Sequence, residues 1–139
     1  TPREKLLKAG WQLADPLAIT LTPESFQQYL RNSKGEWSIA KQGYVSSNSG
    51  WFSERSCGYL CSGRPVVVQD TGFSEIINTG RGLFAFKTPS EVLTAINEIN
   101  GNYAAHCRWA RELAEEYFRS DKVLSTLLQN CLATSTQSG

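Results

Sequence analysis

The chain has 139 residues, enough for one domain with its own core and too few for two. Hydrophobic residues make up 40% and charged residues 19%, and the scattered Lys and Arg leave a net charge of +1, which excludes the basic footprint of a nucleic-acid binder. No secretory signal is visible and no apolar run nears the ~18 residues that cross a bilayer, so the expected compartment is the cytoplasm.

Thr1-Pro2-Arg3-Glu4-Lys5-Leu6-Leu7 reads as a helix over 2–9, ended by Gly10. A doubly wound sheet normally opens with a strand, a glycine-rich turn and a helix, and that opening is missing, so the chain reads as a fragment of a longer protein. A fragment of this kind is expected to self-associate, or to be held through its N-terminal side near Thr1–Leu13, because a shortened sheet exposes an edge and an apolar face. Trp11-Gln12-Leu13 is a candidate short strand. Thr22-Pro23 supplies an N-cap and a proline at the first helical position, ahead of Phe26, Tyr29 and Leu30, and Gly35 is expected to close that helix in a left-handed conformation.

Strands are predicted over 37–40, 65–69 and 83–86; Pro65-Val66-Val67-Val68-Gln69 is the kind of β-branched run that is buried on both faces. A helix is predicted from about Glu54 to Ser62, with Ser53 as its N-cap, and a short one over Ser74–Ile77. Thr88-Pro89-Ser90-Glu91 is a capping box, followed by Val92, Leu93, Ile96 and Ile99 as a buried stripe, with Gly101 as the stop. A further helix begins near Asn102 and carries Tyr103, Cys107, Ala110, Leu113, Ala114 and Tyr117; Ser120-Asp121 caps a last one with Val123, Leu124, Leu127 and Leu128. Strands separated by helices imply a parallel sheet of three or four strands, with 66–68 in the middle and helices on both faces. The expected architecture is one three-layer, Rossmann-like α/β domain over 1–132, followed by a flexible polar tail over 133–139.

Two loops attract interest because both leave the carboxyl edge of that sheet, the usual ligand crevice of open α/β folds. The first runs from Lys41 through Ser49, Gly50, Trp51, Phe52 and Ser53 into the helix carrying Glu54 and Arg55. Its glycine and the helix N-terminus suit a phosphate, and Lys41 and Arg55 can neutralise a diphosphate. The same residues also read as a plain connection with Trp51 and Phe52 packed beneath it. The second loop holds Asp70, Thr71, Gly72 and Phe73. Asp70 and Thr71 can contact sugar hydroxyls and Phe73 can stack on a ring, or Asp70 and Thr71 simply cap the short helix that follows.

Other chemistry finds little support. Cys57, Cys61, Cys107 and Cys131 lack metal-ligand spacing and read as buried or half-buried thiols. His106, the only histidine, reads as a surface or packing residue, and no nucleophile elbow accompanies it.

The order of blocks resembles group 1 (family 4-like) glycosyltransferases over about residues 11–130. Ser62-Gly63-Arg64-Pro65-Val66-Val67 matches the family's Cys-Gly-Lys-Pro-Val-Val, Asp70-Thr71-Gly72-Phe73 its Asp/Thr-x-Gly-Gly, and Gly82-Leu83-Phe84-Ala85-Phe86 its Gly-Leu-Leu block. Ser49-Gly50-Trp51-Phe52-Ser53 stands where the family has its donor-binding loop. The resemblance implies the C-terminal part of a GT-B enzyme that binds a nucleoside-diphosphate sugar as substrate, without a tightly bound metal or other cofactor. The missing N-terminal domain of the same protein is then its partner, and the fragment alone does not turn over. One departure stands out: Gly50 and Gly58 occupy the positions of the family's paired donor-binding glutamates, with Glu54 one turn away as a substitute. A non-catalytic interaction or regulatory module on the same scaffold is the competing expectation, and a sugar-phosphate isomerase or epimerase of similar layer order is a third.

Overall fold

Val66, Val67 and Val68 form the centre of the sheet because β-branched side chains suit a pleated surface that is covered on both sides. The computed structural model describes residues 3–135 of the chain. Among them β1 (Glu36–Ser38), β2 (Val66–Gln69) and β3 (Leu83–Phe86) form one parallel sheet in the order β1-β2-β3. The register sets Val67 between Trp37 and Phe84, so the alternation along each strand assigns its side chains to two faces.

One face carries α3 (Pro23–Asn32), α5 (Glu54–Cys61) and α7 (Tyr103–Tyr117). Leu30, Tyr59, Leu60, Ala110, Leu113 and Ala114 pack there on Val66, Val68 and Leu83. The other face carries α6 (Pro89–Gly101), whose Val92, Ala95 and Ile99 cover Val67, Phe84 and Phe86. Each fully buried Val or Leu contributes about 1.5–3 kcal/mol, so β2 and β3 hold both layers together. The three-layer α/β arrangement with a central 66–68 strand is therefore present.

The helix starts follow the capping chemistry. Thr22 and Thr88 each form a capping box with the residue three positions on, Ser25 and Glu91, and both helices carry proline in the first turn. Ser53 Oγ accepts from the Arg55 N–H, and Asn102 Oδ1 from the Ala105 N–H.

Several expectations are corrected. Trp11–Leu13 is not a strand: the Trp11 N–H closes α1 (Arg3–Lys8) on the Leu6 carbonyl, and its ring leans on Trp37 at 6.0 Å. Pro2, the first residue of the helix expected over 2–9, lies outside the described residues, as does Thr1. A short helix, α2 (Pro16–Thr20), follows with Asp15 as its cap. Gly35 does not take the left-handed conformation; α3 is closed by Ser33, and Gly35 is instead where a Cβ would stand 2.6 Å from the Pro65 carbonyl oxygen. β1 stops at Ser38 because the next inward N–H, that of Ala40, bonds to the Gln69 side chain at 3.2 Å rather than to a ladder partner.

On α6 the stripe is Val92, Ala95 and Ile99, while Leu93 and Ile96 are exposed. They face a groove over the β1 side of the sheet, together with Trp37 and Ile39, which α6 does not reach. The last helix, α8 (Ser120–Ser135), extends past the expected boundary, so 133–135 are helical and 136–139 lie outside the described residues. Val123, Leu124, Leu127 and Leu128 are all exposed on it. Cys57 and Cys107 are half-buried as expected, whereas Cys61 and Cys131 are exposed. No helix among the described residues is long and apolar enough to cross a membrane.

Candidate functional site

The segment after β1 is more ordered than a loop. Gln42–Ser46 forms the short helix α4, with Lys41 at its start, and it carries Tyr44 back towards the sheet edge. There the Tyr44 and Trp51 rings stack at 5.0 Å and 16°. Beneath Trp51, Phe52 meets Phe73 edge-on at 5.1 Å and lies flat on Phe118 at 5.5 Å. Offset aromatic contacts of this kind fix a loop that has no ladder to hold it.

Between α4, the 51–53 segment, the first turn of α5 and the carboxyl ends of β1 and β2 lies a pocket of about 240 Å³. Lys41, Trp51, Phe52, Ser53, Arg55, Thr71 and Phe73 line it, with Ser38, Tyr44, Ser56 and Gln69 completing the wall. Pockets that enclose a whole small organic ligand run to ~300–1,000 Å³, so this one suits a part of a ligand the size of a diphosphate. Two cationic side chains, a capped helix N-terminus and an aromatic wall give it the chemistry of an anion site with an apolar side.

Five predicted site residues are not brought into the pocket. Ser49 Oγ bonds within the turn, to the Tyr44 carbonyl and the Trp51 N–H, each at 3.3 Å. The Gly50 N–H donates to the Thr71 carbonyl at 2.8 Å, so this amide belongs to the tie between the two loops and is not available to a phosphate. Glu54 sits exposed in the first turn of α5. Asp70 is buried beneath its own turn: Oδ1 accepts from the Gly72 N–H at 3.0 Å and Oδ2 from the Ser74 hydroxyl at 2.9 Å. Gly72 supplies the positive φ that starts the 3-10 turn Phe73–Glu75.

For the second loop the capping alternative holds only in part. Asp70 braces the turn, but in place of a helix over Ser74–Ile77 there is a 3-10 turn over Phe73–Glu75. It starts from Gly72 with no side-chain cap, and Thr71 does not cap it. Thr71 is almost fully buried and donates to the Trp51 carbonyl at 2.6 Å, so it ties the loops together from below. Phe73 is 2% exposed, and its ring has no face free to stack on a sugar. It forms the pocket's floor instead.

Burial alone would raise the Asp70 carboxyl; the bonds from Gly72 and Ser74, with Lys87 at 3.4 Å, outweigh that and hold it below the usual carboxylate value. Because the folded value is lowered, the stability Asp70 contributes is complete above the ordinary carboxylate range and is lost as pH falls through the folded value. Asp70→Asn is accordingly expected to be less stable than the parent at pH 7, with the gap closing below about pH 4. Urea midpoints at pH 7 and pH 3 measure it, and an unchanging gap would mean that Asp70 does not hold the turn as a carboxylate.

Gly50 and Gly58, which the resemblance sets against glutamates, have local causes. Gly50 has φ +71°, where a side chain is strained, and a Cβ at Gly58 would press on Leu30 Cδ1 at 3.1 Å where α3 packs on α5. His106 is buried, not at the surface: Nδ1 accepts from the Gly82 N–H at 3.2 Å, and the ring packs between Phe84 and Trp109. Burial, with Cys61 nearby, pushes the Cys57 thiol up to about 11, which leaves it inert.

Tyr44, Gln69 and Glu36 escaped the sequence reading. Tyr44 follows Lys41 by three residues, one helical turn, but the intervening Gly43 disguised the turn. Glu36 ion-pairs with Arg55, Oε1 to Nε at 2.7 Å, although it stands in a strand. In comparisons with known proteins, no family model matched the chain, and neither did any curated protein or solved structure.

Proposed function

We propose that the chain is the donor-binding part of a glycosyltransferase, and that the pocket beside α5 takes the diphosphate of a nucleoside-diphosphate sugar. The observation that carries this is the convergence of Lys41, Ser53 and Arg55 on one small pocket at the carboxyl edge of β1 and β2, against the Trp51–Tyr44 stack. The order of sequence blocks points the same way. Catalysis would consist of stabilising the departing diphosphate with these cations and the α5 N-terminus, an electrostatic effect. The acceptor would be bound by another domain of the same protein. Exposed Cys61 fits a reducing compartment, so the proposed place of action is the cytoplasm.

A second reading is favoured by a specific observation. Gly50 and Gly58 leave no carboxylate where the family resemblance expects a pair, and Asp70 is occupied by its own turn. A scaffold that keeps the fold and binds no donor would look like this.

Titration with uridine or guanosine diphosphate separates the two. Binding is expected to slow amide exchange over Lys41–Tyr44 and Trp51–Ser56. Arg55→Ala should weaken it by about 1.5–3 kcal/mol, the value of a hydrogen bond to a charged group. No binding, or protection confined to other loops, would leave the scaffold reading standing.

A further inference from the structure

Glu36 is a buried acid at the start of β1, an edge strand of the sheet. Its side chain is 4% exposed, on the β1 position that pairs with Val66 and faces α5. Removing a carboxylate from water costs several kcal/mol unless partners satisfy it. Only Oε1 is satisfied, by the Arg55 Nε–H at 2.7 Å; Oε2 is buried with no hydrogen-bond partner among the described residues. Simple stability does not recommend this arrangement, since an apolar residue of similar volume would avoid the orphaned oxygen.

The other end of the pair gives it a purpose. Arg55 is half exposed and lines the pocket, and arginine carries five N–H donors, of which the Glu36 bond occupies the one on Nε. A guanidinium gripped from behind at Nε keeps its terminal edge for an anion in front. Long side chains lose rotamer freedom when they bind, and that loss is avoided when the side chain is already fixed. Nothing else in the first turn of α5 can do this: Ser53 caps the backbone, and Glu54 is exposed and of the wrong sign.

Resting on the reading that this pocket takes a diphosphate, we infer that Glu36 is a positioning residue, holding the Arg55 guanidinium ready at the pocket wall. It touches no ligand. Its charge, taken alone, would repel an anion, so its contribution must come through Arg55, and this separates the proposal from a general electrostatic effect.

Calorimetric titration of the full chain with inorganic pyrophosphate tests it, in a cycle of Glu36→Leu, Arg55→Gln and the double variant. Glu36→Leu is expected to bind about two- to ten-fold more weakly, the cost of ordering one long side chain on binding. In the Arg55→Gln background the same change should leave affinity unaltered. Glu36→Gln, which still accepts from Nε–H, should bind at least as tightly as the parent. The Arg55 Nε–H proton gives a reading without ligand: slow exchange in the parent and fast exchange in Glu36→Leu.

An Arg55-dependent affinity that Glu36→Leu leaves unchanged or tightens would overturn the role of Glu36 while the pocket stands. Equal weakening in both Arg55 backgrounds would reduce Glu36 to a structural residue and overturn it too. Failure of the unsubstituted chain to bind pyrophosphate would remove the pocket reading, and the proposal with it.

Discussion

Gly82→Ala is expected to cost about 2–5 kcal/mol of stability, the sum of a left-handed backbone strain of ~1–2 kcal/mol and an overpacking term of ~1–3 kcal/mol. Gly82 has φ +73° and stands where β3 begins under α7. A Cβ there would lie 2.7 Å from the Ala110 Cα and 2.8 Å from the Trp109 carbonyl carbon, and would also crowd the Ala110 nitrogen. All three are backbone atoms of a helix, so no side chain can swing aside. The same residue donates to His106 Nδ1 and accepts from the Val66 N–H at 2.9 Å, so a shift to relieve the clash breaks a buried bond or the β2–β3 ladder. Domains of this size hold about 5–15 kcal/mol in total, which makes the change large. Gly80→Ala is the control: φ is +93° but the space around it is open, so it should cost the strain alone. Urea midpoints for the two variants check it, and equal losses would mean that the helix backbone gives way.

What the sequence revealed and what it hid divide along a physical line. Caps are local, so Thr22, Ser53, Thr88 and Asn102 could be read from spacing alone and stand where expected. A run of three valines was legible because β-branched side chains suit a sheet covered on both faces. Burial on α6 was half legible: the 3.6 period identifies an apolar face, but which part of it meets the sheet depends on how far α6 reaches across β1. Trp11 looked like a strand residue because it is large and apolar, yet a strand exists only with a ladder partner.

The site was the least legible part, because ligand loops and self-supporting turns draw on the same residues. Asp, Thr and Gly after a strand can hold a sugar or hold their own backbone, and only the bonds to Gly72 and Ser74 tell which. Glu36 was invisible for the opposite reason. A lone acid in a short strand reads as solvent-facing, and its partner lies nineteen residues away on α5. Lining the pocket and fixing its shape are different roles that meet in some residues, such as Thr71 and Phe73, and sequence pattern speaks mainly about the first.

Phe73→Ala separates these roles and is expected to cost about 3–5 kcal/mol, the usual range for emptying a fully buried aromatic site. Phe73 meets Phe52 edge-on, and Phe52 in turn lies on Phe118 beyond the end of α7, so the stack joins the turn after β2, the 51–53 segment and the last loop. Its carbonyl also accepts from the N–H groups of Ile76 and Ile77 at 2.9 Å, bonds that a substitution leaves in place. The loss should therefore come from the side chain and be felt at Phe52. Phe73→Leu keeps most of the volume and should cost only about 1–1.5 kcal/mol. Amide exchange gives the local reading: the Gly50 N–H, bonded to the Thr71 carbonyl, should be protected in the parent and in Phe73→Leu, and exposed in Phe73→Ala well before global unfolding. A Phe73→Ala protein within ~1 kcal/mol of the parent, with Gly50 still protected, would mean that Thr71 and its bond to Trp51 hold the pocket floor without the aromatic stack.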